Sequence, residues 1–251
     1  MKKVFLFALV MGILIGCDDD ESTPDSKLLM TFDPRFGGTE MQMGSTMESA
    51  EGYPFNTTAI KFYLSNIKLH SANGSTVVLS DIELVDLNAN QRTLEFQIAP
   101  GSYSGISYDL GVSPNMNGTQ DPDFSVAQYG PDHPLSVTNG MYWVWSSGYR
   151  FFTFEGRFNT DVNDHENLPM TYAFHTGTDT LYRELGTFQK NMTADNGNSI
   201  LCAFAIEVDS IFSSSTGVID LAVENTFHGS PDQMELGIKV ADNMAKSFVW
   251  K

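Results

Sequence analysis

Residues 141–156, MYWVWSSGYRFFTFEG, decide how the rest of the chain is read. Alternation along a strand places Trp143 and Trp145 on one face with Met141, and Tyr149 comes close once Ser146-Ser147-Gly148 has interrupted the run. Phe152, Phe154 and Gly156 then resume a period of two, alternating with Thr153 and Glu155. Two strands joined by a kink are expected. Trp143 and Trp145 are two of only three tryptophans, so the stretch is either a sandwich core with packed indoles or a site built on those rings.

The flanking sequence is written in the same period. Leu28, Met30 and Phe32 share a face over residues 27–32. Residues 60–69, IKFYLSNIKL, are rich in strand formers and lead through Asn73-Gly74, a hairpin turn signal, to a strand at 77–79. Further strands are expected at 82–87, 94–98, 103–112, 170–175, 199–208 and 218–223. Residues 113–139 change to Pro, Asn, Gly and Asp and read as a long loop entering the tryptophan stretch. Near the end, Met234, Ile238, Ala241, Met244, Ala245 and Phe248 recur at helical spacing behind Ser230-Pro231, a good helix start.

The chain of 251 residues is 41% hydrophobic and 18% charged, a balance that suits short strands with polar turns better than a helical bundle. The fold class expected is therefore all-β: one β-sandwich of mainly antiparallel strands with long loops and a single C-terminal helix, spanning residues 27–251. Formal charge is −17, which excludes nucleic acid as a partner and disfavours unassisted adsorption to anionic lipid.

Residues 1–16 read as an export signal, since two lysines precede an apolar run too short for an ordinary membrane span. The run ends in Leu14-Ile15-Gly16-Cys17, which resembles a bacterial lipobox, and acyl chains on Cys17 would anchor the protein. Residues 17–26 form an acidic tether similar to that of surface-exported Bacteroidetes lipoproteins. The expected location is the cell envelope, at the outer membrane. Cys202 then stands without a disulfide partner, and a buried small hydrophobe is its expected role.

The sequence shows no nucleophile elbow, phosphate-binding glycine loop, HExxH or CxxC, so no enzyme is expected. Met41, Met43 and Met47 offer thioether sulfur, a soft ligand for Cu(I), yet Met41 and Met43 alternate with Gln42 as a packed strand face does. Asp121, Asp123 and Asp132 lack the ordered spacing of a calcium loop and read as solvated turns. Of five histidines, His175 stands apart because it ends a strand behind aromatic residues.

Several runs occur here in the order of a known family: Phe62 to Leu69 (FYLSNIKL), Leu84-Val85-Asp86-Leu87, Pro100-Gly101-Ser102-Tyr103, Asp109-Leu110-Gly111-Val112, the W-x-W-x-x-G-Y core and Phe174-His175-Thr176-Gly177. Together they resemble the methanobactin-associated copper-binding (MbnP-like) family. The resemblance implies an exported β-sandwich that binds copper, in which a partner diheme enzyme of the peroxidase type oxidises a tryptophan to kynurenine. It touches Trp143, Trp145 and His175 as site residues. The alternative is a surface binding or adhesion module on the same sandwich, using the 113–139 loop, that has lost the metal.

Overall fold

The computed structural model describes residues 26–89, 91–118, 123–143, 148–195 and 197–251; the export segment, Cys17 and Trp145 lie outside them. Strand β1 (Ser26–Phe36) buries Leu28, Met30 and Phe32 as the alternation requires. Two short strands, β2 (Thr39–Glu40) and β3 (Thr46–Glu48), precede the long β4 (Pro54–Ser71), which turns at Asn73-Gly74 into β5 (Thr76–Asp86). Gly74 has φ +91°, a backbone state that glycine adopts without steric cost. The strands expected separately at 77–79 and 82–87 are one strand, because the ladder to β4 continues through Ser80. Next come β6 (Thr93–Ile98) and β7 (Gly101–Leu110).

The tryptophan stretch supplies β8 (Tyr142–Trp143), β9 (Gly148–Tyr149) and β10 (Phe152–Phe158). The chain reverses there instead of kinking: Tyr142 pairs with Tyr149 and Trp143 with Gly148 in antiparallel register. The second half holds β11 (Met170–Thr176), β12 (Arg183–Ala194), β13 (Ser199–Glu207), a short helix α1 (Val208–Phe212), the pair β14 (Ser213–Ser214) and β15 (Gly217–Val218), and β16 (Thr226–Phe227). Helix α2 (Met234–Ser247) and β17 (Phe248–Trp250) close the chain. The strand expected at 218–223 shrinks to β15 because Asp220 turns the chain: its carbonyl accepts from the Val223 and Glu224 amides and its carboxylate from the Ala222 amide.

Among the described residues, one sheet runs β17-β13-β1-β2 with β6 also on β1, and the other runs β12-β7-β4-β10-β11-β16 with β3 and β5 on β4. Most pairs are antiparallel; β1 with β13 and β11 with β16 are parallel. The sheets face each other across aromatic rings. Phe32 stacks on Phe204 within its own sheet at 5.5 Å and meets Phe62 of the other sheet edge-on at 5.6 Å. Cys202 is buried here, its Sγ 3.5 Å from Met192 Sδ, and burial pushes the thiol pKa up to about 12, in keeping with a small packed hydrophobe.

The C-terminal helix forms where expected, and Ala241, Met244 and Phe248 of its expected face are buried, but that face is rotated toward Leu236 and Val240. Leu236, Gly237, Val240, Ala241 and Met244 are buried, whereas Ile238 is exposed. Gly237 explains the rotation, since a Cβ there would lie 2.3 Å from Phe227 Cζ; its absence lets the ring sit directly on the helix. Asn243, fully buried beside it, donates to the Ile211 and Gly217 carbonyls and accepts from Ser214 and Thr216 hydroxyls.

The outer face of the larger sheet has a second, smaller core. Tyr63, between core residues Phe62 and Leu64 of β4, points the other way and gathers Ile82, Val112, Leu135, Met141, Tyr149 and Phe151. The described residues of the 113–139 segment thus form a cover as well as a connection: Tyr63 and Tyr149 donate their hydroxyls to the Pro134 and Leu135 carbonyls. This cover lies beside the site.

Candidate functional site

Three strands of the larger sheet build the site by simple alternation. Register pairs Thr153 of β10 with His175 of β11, and Phe154 with Phe174. Phe152, Phe154 and Phe174 enter the sandwich core, so Thr153, Glu155 and His175 take the outer face. β16 pairs parallel to β11 with Phe227 beside Phe174, which brings His228, the next residue, alongside His175. The two imidazoles stack at 4.5 Å between centroids with 12° between planes. His175 is 7% exposed, while His228 is exposed on a bend.

His175 Nε2 lies 2.6 Å from Glu155 Oε1. That hydrogen bond is the main reason the Glu155 carboxyl lies below its ordinary pKa, and the electrostatic effect of His175, Arg150 and His228 adds to it against partial burial. Glu155 is therefore ionised and can only accept, so Nε2 carries the proton. Burial first, then the His175 and Arg150 charges, lower the pKa of His228, which leaves that ring neutral at pH 7 with a lone pair to offer. Arg150 Nε is buried without a hydrogen-bond partner among the described residues.

Trp143 closes the inner side of the pair. The indole is 2% exposed, and two glycines make its slot. A Cβ at Gly177 would lie 2.7 Å from Trp143 Cζ3, and one at Gly229 would lie 3.1 Å from Cη2. These glycines follow His175 and His228 closely in sequence, so the ring packs against both histidine-bearing turns. Met141, 1% exposed, accepts through Sδ from Thr153 Oγ1 at 3.5 Å, which places a thioether beside the register partner of His175.

Two neutral-capable imidazoles with a thioether nearby are donors that suit copper. The rings lie in near-parallel planes, so a shared ion requires one to turn, and His228 on its exposed bend is the one with room. In keeping with this, no group of three His, Cys, Asp or Glu is gathered as a metal cluster among the described residues. Of the residues singled out in the sequence, Trp143 and His175 come together; Trp145 and Cys17 lie outside the described residues. His228, Glu155, Arg150 and Met141 were missed. A signal for His228 exists, since Phe227-His228-Gly229 echoes Phe174-His175-Thr176-Gly177.

The other candidates fall elsewhere. His70 bonds Ser107 at 2.8 Å, and His133 stacks on Tyr129 at 4.4 Å. Met41 is buried while Met43 and Met47 pack against the core, as their alternation suggested. Asn66 and Asp109 of the recognised motifs are structural: Asn66, at φ +52° in an irregularity of β4, donates to Asp109 Oδ2 at 2.9 Å, and the Tyr182 hydroxyl donates to the same oxygen at 2.7 Å. A cavity of about 420 Å³ lined by Glu83, Gln91, Asp132, His133 and Asn139, among others, lies where the cover meets β5 and β6.

The family model MbnP matches residues 25–234, a span that takes in every residue of the site from Met141 to His228. Among solved structures the chain resembles "MbnP from Methylosinus trichosporium" at 16% identity, with 82% of each chain covered and a TM-score of 0.52, a likeness of fold. The curated proteins give no match. With most of its length matched by the family model and the same sandwich in a solved relative, the chain belongs to the MbnP family.

Proposed function

We propose that this protein binds copper at the His175–His228 pair and handles the ion without catalysing a reaction. The stacked imidazoles carry this reading, because two borderline-soft ligands are brought into contact, one on a core strand and one on the bend after β16, and burial lowers the pKa of the second. Membership of the family supports copper as the ion. Oxidation of a tryptophan in the 143–145 segment to kynurenine, by a partner diheme enzyme of the peroxidase type, belongs to the same reading. Kynurenine carries an aromatic amine and a ketone where indole offers no lone pair in the ring plane, and Trp143 already packs its benzene edge against both histidine-bearing turns.

The mature protein is proposed to be held in the cell envelope by lipid on Cys17. No helix among the described residues is long and apolar enough to cross a membrane, and a Cys17→Ala variant should leave the membrane fraction; its retention after a high-salt wash would contradict the anchor. Equilibrium dialysis of the mature domain against Cu(I) and Cu(II) tests the main reading. Saturable binding of one ion per chain is expected, and none, in protein processed in its native envelope, would overturn it. The second reading, a surface binding or adhesion module, rests on the 420 Å³ cavity under the 113–139 segment.

A further inference from the structure

We infer that Glu155 is a positioning residue which fixes the tautomer of His175 and makes Nδ1 the atom that ligates metal. The inference rests on the copper reading above, and it assigns each ring nitrogen a separate task. A neutral imidazole has one N–H and one lone pair. A carboxylate only accepts, so Glu155 holds the N–H at Nε2 through the 2.6 Å contact and the lone pair falls on Nδ1. Among the described residues Nδ1 of His175 makes no hydrogen bond, and the neighbouring ring is His228.

The surroundings hold this arrangement in place. Glu155 and His175 stand on adjacent strands whose inner residues, Phe154 and Phe174, are locked in the core, so neither backbone can drift. A carboxylate bonded to the far nitrogen of a histidine orients the ring and raises the basicity of the ligating nitrogen. The sequence carries this pairing as Glu155 and His175 on antiparallel strands, a diagonal pair in which Glu155 lies two residues along β10 from Thr153, the register partner of His175.

The experiment uses the mature domain labelled with ¹⁵N-histidine at pH 8, with Ag(I) as a diamagnetic stand-in for Cu(I). Long-range ¹H–¹⁵N correlation spectra report which nitrogen is protonated and which couples to silver. The expected result is a protonated Nε2 and a bare Nδ1 in His175 before loading, with silver coupling at Nδ1 and Nε2 still protonated afterwards. Glu155→Ala should weaken Ag(I) binding by about 10–100-fold and mix the tautomers, whereas Glu155→Gln, whose amide oxygen still accepts from Nε2, should restore the tautomer and much of the affinity. Silver coupling at Nε2, or Glu155→Ala binding as tightly as the parent, would overturn the role of Glu155 while leaving the histidine site standing. A His175→Ala variant that binds Ag(I) like the parent would overturn the site itself, and the inference with it.

Discussion

Strands β10, β11 and β16 present two faces made from alternate residues of the same few turns of chain. Inward go Phe152, Phe154, Phe174 and Phe227, all 1% exposed or less. Outward go Thr153, Glu155, His175 and His228, joined by a hydrogen bond, a ring stack and a thioether contact. The inner face is held by area removed from water; the outer one is held by hydrogen bonds and by the segment folded over it. A rigid apolar layer thus aims polar groups one residue away, and stability and ligand chemistry can be altered separately.

Truncating the inner face should have the largest effect on stability. Phe174→Ala empties a fully buried ring site, and a loss of about 3–5 kcal/mol is expected in urea unfolding. A loss below about 1 kcal/mol would mean the two faces do not differ as described. Gly177→Ala comes next, because its Cβ would meet both Trp143 and the Tyr149 carbonyl, the latter at 2.2 Å. Overpacking of this kind costs about 1–3 kcal/mol and should shift the Trp143 fluorescence; an unchanged spectrum would show that the indole does not use the glycine slot. His175→Ala should be milder, about 1 kcal/mol, since Glu155 is partly exposed and regains water when its partner is removed.

Acidification should give the most gradual effect. His228 and His133 both have folded pKa values lowered by burial, so as pH falls below their ordinary value of 6.5 the unfolded chain takes up protons first and stability declines. Glu155, also lowered, loses its contribution as pH falls from its ordinary 4.5 through its folded value. The urea midpoint should therefore drop in two stages between pH 7 and pH 3. His228→Asn should soften the first stage, and a first stage of unchanged depth in that variant would remove His228 from it.

Much of this architecture can be read in the sequence where one face of a strand is apolar. Leu28-Met30-Phe32 and Phe152-Phe154 announce their strands because period-two burial leaves a mark in composition. Strand β12, RELGTFQKNMTA, escaped notice because it is an edge strand with few buried side chains, so alternation barely shows. At α2 the expected face holds at Ala241, Met244 and Phe248 but fails at Ile238, since the helix is rotated by a missing side chain at Gly237, which hydrophobic periodicity does not register. In the site, His175 and Trp143 were legible from neighbouring motif residues. Glu155 and His228 were not, because their link to His175 is set by register between strands distant in sequence.

The central claim is that the outward histidine pair holds copper, and an anaerobic Cu(I) titration against a competing chelator tests it most directly. Parent, His175→Ala, His228→Ala and the double variant would be measured at pH 7 on protein whose fold is checked by circular dichroism. The expected result is one ion per parent chain, each single variant weaker by more than about tenfold, and no saturable binding in the double variant. A folded double variant that takes up one Cu(I) with the affinity of the parent would contradict the claim and move the metal away from β11 and β16.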